Sequence, residues 1–341
     1  MSTAGSAEAV SISLHTADVP RSLRPVHTRG DRIFRLGARG VGAFVLVLVG
    51  AIGLFLGAQL VPTLHRYGLH FFTENRWIPN RDIVGVSAAI LGTVEVAVMA
   101  LLIAFPLALA TALYISEYAP PRLRNFLTLL VDLMAAVPSI VYGVWGYFQL
   151  QPYAKLISRW LAEYVGWFPL FQVPGGQPHS ASWPKSNFVQ SPFIASLVVS
   201  MMVVPLACAV MRNVFAQAPL HEREAAMALG ATRWGVIRSV VLPFGRAGIV
   251  GGTMLGLGRA LGETIAVLLI LSTSYDLSIH PLHVNGVTLS SFIANGFNEA
   301  TSGQLSALLA AGFVLFCMTL VVNTLAAMIV NRSRSGATTE I

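Results

Sequence analysis

Apolar residues along this 341-residue chain come in six long blocks separated by shorter polar ones. A helix needs roughly 20 consecutive, mostly apolar residues to cross the hydrocarbon core of a bilayer. The runs at 38–62, 89–116, 126–149, 192–216, 247–272 and 305–330 reach that length. The pattern therefore predicts an all-α, polytopic membrane protein with six transmembrane helices. Pro106 and Pro205 fall inside the second and fourth runs and are expected to break them, which membrane helices tolerate where neighbours satisfy the freed carbonyls. The first run is too long for a signal-peptide core and no small-residue cleavage site follows it, so it is expected to be retained.

Composition strengthens the membrane reading. Only 11% of the residues are charged and 55% are hydrophobic, with a mean hydropathy of +0.69. Soluble domains carry about 25% charge. The net charge of +7 sits almost entirely between the apolar blocks, which points to basic loops that set membrane orientation and not to a nucleic-acid surface. With both termini cytoplasmic, 15 of the 22 Lys and Arg lie on the inner side, six on the outer side, and Arg259 inside the fifth span. That asymmetry and the even number of spans agree with the positive-inside rule. The expected layout is a cytoplasmic tail at 1–37, with 1–28 disordered, an extracytoplasmic segment at 63–88, a transmembrane core at 89–330 and a cytoplasmic tail at 331–341. Within the core lie an inner loop at 219–246 and an outer loop at 150–191. The aromatic residues of that outer loop, Trp160, Trp167, Phe168 and Phe171, suit a helix at the outer interface. Cys208 and Cys317 both fall in apolar runs, and His280 and His283 have no nearby third ligand, so neither a disulfide framework nor a metal site is expected.

The inner loop between spans four and five reads HEREAAMALGATRWGVIRSVVLPFGRAG, residues 221–248. Glu222 to Leu229 are good helix formers and Gly230 fits a C-terminal stop. A second amphipathic helix is expected from Thr232 to Leu242, ending at Pro243. Such a knob suits docking in a partner's groove; the alternative is an ordinary solvated loop. Glu224-Ala225-Ala226, Gly230 and Leu242-Pro243 keep every spacing of the EAA motif of importer-type ABC permeases, with Val240 where that motif has Ile. Further stretches narrow the likeness: Gly68-Leu69-His70-Phe71-Phe72-Thr73, Ile115-Ser116-Glu117-Tyr118-Ala119-Pro120, Ala135-Ala136-Val137-Pro138-Ser139-Ile140-Val141-Tyr142-Gly143, and Gly258-Arg259-Ala260-Leu261-Gly262-Glu263-Thr264. Over about 68–330 the chain resembles the permeases of the phosphate-specific transport (Pst) family, more the PstC type than PstA.

The resemblance implies the type I permease fold of ABC importers and a subunit forming half of a pathway for inorganic phosphate in a bacterial inner membrane. It also implies a second, PstA-like permease, two PstB-like ATPase subunits and a PstS-like phosphate-binding protein. In that family the EAA segment seats in the ATPase and relays ATP-driven closure. The chain has no G-x-x-x-x-G-K-[ST], so ATP and Mg belong to the partner, no cofactor is expected here, and no catalytic residue either. The same resemblance implicates Arg259 and Glu263 in transport.

Physical chemistry agrees with an anion path. An ionisable residue inside a span is costly unless paired or facing a cavity, and the planar fork of Arg suits phosphate. Arg259 and Glu263, four apart, are expected to share a helix face, with Gly258 and Gly262 admitting a neighbouring helix; a structural ion pair is the bland alternative. On this reading Arg259 contacts the ion while Glu263 limits its affinity or accepts a hydrogen bond from protonated phosphate. Thr264 lies beside them. Pro138-Ser139 either breaks span three and offers a hydroxyl and free amides to the ion or only kinks it. Glu95 and Asp132 are expected to pair with each other or with Arg212. The competing readings are a permease for sulfate or molybdate, an intramembrane enzyme, which lacks an in-span histidine to activate Ser139 or Ser200, and a passive channel.

Overall fold

The computed structural model describes residues 29–173, 188–275, 277–284, 286–298 and 300–334. The expected disorder of 1–28, residues 174–187 of the outer loop and the end of the C-terminal tail lie outside the described residues. The chain forms two units, Met1–Ala51 and Ile52–Ile341. In the first, the described residues are helical with their apolar side chains exposed.

In chain order the elements are α1 (Arg29–Tyr67), α2 (His70–Thr73), a two-stranded antiparallel ribbon of β1 (Trp77–Ile78) and β2 (Ile83–Val84), α3 (Ser87–Leu113), α4 (Pro121–Ala136), α5 (Ser139–Trp145), α6 (Gln151–Tyr164), α7 (Pro192–Phe215), α8 (Leu220–Ala228), α9 (Arg233–Val236), α10 (Leu242–Leu261), α11 (Ile265–Ile270), α12 (Leu289–Gly296) and α13 (Ser302–Arg334). Among the described residues five helices are long and apolar enough to cross a membrane, and α4 with the α5–α6 arm, bent by 90°, makes up to six if the bent pair is one span.

The core is built on small residues. Along α3, Ala89, Thr93, Ala97, Ala100, Ala104, Ala108 and Ala112 are buried at spacings of three and four, which lets α7 lie along it. Along α10 the close approach uses Gly245, Gly248, Gly252 and Gly256. A Cβ on them would fall 2.3 Å from Phe215, 2.5 Å from Val214, 2.9 Å from the Ala207 carbonyl oxygen and 2.6 Å from Val203, all on α7. In lipid, where apolar burial between helices brings little, such contact is the main adhesive. Gly258 and Gly262, singled out from the sequence for this role, do not serve it. A Cβ on Gly258 would meet only the Asn323 side chain, at 3.7 Å, and one on Gly262 only carbonyls of its own helix.

Prolines act differently from the sequence expectation. The α-helices continue through Pro106 and Pro205, and the helix expected to end at Pro243 runs from Arg233 to Leu261 as one span. Three π-helical turns, 114–118, 146–150 and 237–241, each end two residues before a proline: Pro120, Pro152 and Pro243. Proline cannot donate to the carbonyl four residues back, and a wider turn lets the preceding N–H reach five residues back instead. At the first, the Ser116 carbonyl that Pro120 leaves free takes a hydrogen bond from Arg124 Nη2 at 3.0 Å.

The outer loop expected at 150–191 opens on helix α6, whose Tyr153, Trp160 and Tyr164 are exposed. The cation-free stretch 274–304 holds α12, capped by the Thr288 hydroxyl and tied to α3 where the Leu289 amide donates to Thr93 Oγ1 at 2.8 Å.

Candidate functional site

Two membrane elements are interrupted. The first break follows Ala136. Pro138 drives the preceding residue out of the helical region, and Val137 and Pro138 are extended, with ψ of 130° and 140°. Chain direction turns by 90°, so this is a break and not a kink. Of the carbonyls orphaned at the end of α4, that of Met134 accepts the Tyr142 hydroxyl at 2.9 Å. Ser139 is the first residue of α5, half-buried, one turn before Tyr142.

The second break was not read from the sequence. It falls at Gly262–Thr264, inside the predicted fifth span, because α10 ends at Leu261 and α11 begins at Ile265. Arg259 is therefore in the last turn of α10 while Glu263 stands in the break, and the expected shared helix face does not exist. Glu263 is buried, and its Oε1 accepts the Ala266 amide of α11 at 3.4 Å. Its own carbonyl takes the Ser290 hydroxyl of α12 at 2.7 Å. The carboxylate thus caps a half-helix, where the helix dipole favours negative charge. The Thr264 hydroxyl donates to the Gly262 carbonyl at 3.2 Å.

The two breaks are brought together by α5 packing on α11. A Cβ on Gly143 would lie 2.8 Å from Ala266 Cα, so only glycine allows that approach. Arg259, in the last turn of α10, stands three residues before the second break. It is exposed on the surface of the single subunit and, among the described residues, has neither an ion pair nor a hydrogen bond. Arg212, in α7, is paired instead. Arg212 Nη2 lies 3.3 Å from Asp132 Oδ1, the pairing that the sequence had left open with Glu95. Glu95 keeps a buried Oε1 with no hydrogen-bond partner.

The inner loop forms the expected helix–turn–helix. Helix α8 carries Glu224, Ala225 and Ala226 and has no buried residue. Gly230 closes it at φ +87°, a left-handed position that a side chain resists. Thr232 then caps α9 through the Gly235 amide at 3.2 Å. Leu242 and Pro243 fall within the continuous helix beyond the π turn, with Pro243 exposed. Sequence reasoning missed two contacts here and at the breaks: Tyr142, one turn beyond Ser139, and the ion pair of Arg223 with Glu117 at 3.0 Å. Opposite charges at the ends of neighbouring elements were the only sequence trace of that pair.

Among known proteins, residues 104–335 match the sequence profile of binding-protein-dependent transport system inner membrane components. The chain is similar to "Phosphate transport system permease protein PstC 2" of Mycobacterium tuberculosis, 38% identical over 92% of this chain and 95% of that protein. It is also similar to "Phosphate transport system permease protein PstC" of Pasteurella multocida, 36% identical over 89% of this chain and 92% of that one. In three dimensions it is similar to a chain from the crystal structure of a bacterial alginate ABC transporter in complex with an alginate pentasaccharide-bound periplasmic protein. That match has a TM-score of 0.55 and 18% identity, over 91% of this chain and 97% of the other.

Proposed function

Because the chain belongs to the family of binding-protein-dependent transport system inner membrane components, we propose that it is the PstC-like permease subunit of an ATP-driven importer of inorganic phosphate. Its fold is that of an ABC importer permease. The observation that carries the cargo is Arg259: a fixed positive charge in the last turn of a membrane helix, beside the break at Gly262–Thr264, without an acidic partner among the described residues. An unpaired guanidinium in lipid is costly, and a transiting phosphate that it grips with two parallel hydrogen bonds removes that cost for the length of the passage.

One subunit supplies one wall, so a second, PstA-like permease closes the path against the exposed Arg259 and the half-buried Ser139 and Thr264. A PstS-like protein delivers phosphate from outside. Two PstB-like ATPases seat the Glu224-Ala225-Ala226, Gly230 and Leu242-Pro243 segment and bring the ATP and Mg; both termini are cytoplasmic. Glu263 serves the path indirectly, by capping α11 and placing a negative charge behind the junction, which limits how tightly an anion binds.

The test is uptake of labelled phosphate by vesicles holding the assembled complex. The expected result is import that needs both ATP and the binding protein and is competed by phosphate but not by sulfate or molybdate. Import without ATP would favour a channel, and equal competition by sulfate or molybdate would assign a different oxyanion.

A further inference from the structure

Helix α8 stands on the bundle with no buried side chain of its own, yet it is not loose. Arg223 reaches back from it to the ends of two spanning elements. Its Nη1 donates to Glu117 Oε2 at 3.0 Å, in the π turn that closes α3, and its Nη2 donates to the carbonyl of Phe215, the last residue of α7, at 2.6 Å. The two charged side chains are 18% and 11% exposed, against 57% and 66% for the surface pair Arg66–Asp82, so water screens them far less. Among the described residues, Arg223 makes the only side-chain hydrogen bonds from α8 to α3 and α7.

The joint is also not locked. Glu117 Oε1 and Arg223 Nε are buried without hydrogen-bond partners. A guanidinium and a carboxylate can make two parallel bonds, and this pair makes one. The same two residues line a pocket of about 280 Å³ with Leu220, Met227, Arg233 and Val236, which leaves room for the side chains to slide. A contact with a second bond in reserve and space beside it keeps its charge pairing while its two elements shift.

We propose that the Arg223–Glu117 pair, with the Phe215 carbonyl, is the joint through which movement of an ATPase seated on α8 is transmitted to α3 and α7, making both side chains positioning residues for transport. This rests on the reading of the Glu224–Pro243 segment as the ATPase seat. Lysine cannot replace Arg223, because a single ammonium on a flexible stem does not hold two divergent acceptors in a fixed plane.

The experiment uses the complete complex in vesicles, with ATP hydrolysis and phosphate import measured on the same sample, and with the ATPase content of each purified variant determined. Arg223→Lys and Glu117→Gln are compared with wild type and with Arg122→Lys, an exposed arginine outside the joint. The expected result is that both variants keep their ATPase and hydrolyse within about twofold of wild type, while phosphate imported per ATP falls at least about tenfold, the size of an ordinary inter-site coupling. Arg122→Lys is expected to leave that ratio unchanged. A ratio within about twofold of wild type in both variants overturns the proposal. So does loss of the ATPase from the variant complexes, which makes the pair a docking contact and not a transmitting one. Failure of the wild-type complex to import with ATP strikes instead at the reading of the segment as an ATPase seat.

Discussion

The end of the bundle beside the Glu224–Pro243 loop and the break at Gly262–Thr264 treat arginine in opposite ways. At the first, the half-buried arginines each hold an oxygen, Arg212 the carboxylate of Asp132 and Arg223 both Glu117 and the Phe215 carbonyl, and the exposed Arg124 holds the carbonyls of Ile115 and Ser116. At the end of α10, Arg259 has none among the described residues, and the carboxylate four positions on, Glu263, is turned to the Ala266 amide. Charges of the first kind join helices. On the proposed reading, a charge of the second kind is left for an ion that arrives and leaves.

The largest effect that sharpens this contrast is expected at Arg259. Arg259→Ala removes the charge-assisted contact to the anion, about 2–3 kcal/mol, or on the order of 100-fold in phosphate uptake. It should leave the melting temperature of the purified complex unchanged, because no ion pair on this chain is lost. Gly143→Leu comes next. Its side chain would enter the space of Ala266 Cα, and overpacking of this kind costs about 1–3 kcal/mol; a lowered melting temperature and lost uptake together are expected.

How far the sequence foretold these sites follows from the same physics. The apolar runs marked the spans because lipid demands them, and the turn of the Glu224–Pro243 loop was legible from Gly230 after a run of helix formers, since a left-handed glycine restricts the backbone in a recognisable way. The break at Gly262–Thr264 was hidden. Glu263 and Thr264 sit in an apolar run whose length satisfies a span, and what stabilises the break, the Ala266 amide and the Ser290 hydroxyl, comes partly from α12, 27 positions on. The prolines misled in the opposite sense. Pro106 and Pro205 left their helices intact, and three others are absorbed by π turns, because packing decides whether a freed carbonyl finds a new donor. The pairing of Arg223 with Glu117, 106 positions apart, is tertiary and left almost no local trace.

On the structural side of the contrast, Asp132→Ala strands Arg212, whose side chain is 12% exposed, while Asp132 itself is 51% exposed. The half-open carboxylate reduces the usual penalty of a broken interior pair, so about 1–2 kcal/mol of stability is expected to be lost, read as a lower melting temperature. Uptake per assembled complex should change little. Glu263→Ala removes the cap of α11 and should cost about 1 kcal/mol, whereas Glu263→Gln keeps an acceptor for the Ala266 amide and should cost less. If Glu263→Gln leaves both uptake and the preference for phosphate over sulfate untouched, its charge has no part in the path and the cap is its whole role. The smallest effect belongs to Asp82→Asn, which breaks the exposed pair with Arg66 and is expected to change stability by less than about 1 kcal/mol. A larger shift there would mean that the surface pairs of this protein are not the weak ones the contrast assumes.

The central claim, that Arg259 faces a water-filled passage for anions between two permease subunits, is tested most directly by the accessibility of that position. With Cys208 and Cys317 replaced by alanine, an Arg259→Cys subunit in the assembled complex is exposed to a small, negatively charged, membrane-impermeant thiol reagent. Such a reagent cannot reach a side chain buried in lipid. The account predicts rapid labelling of position 259 by this reagent. Labelling only by membrane-soluble reagents would contradict it.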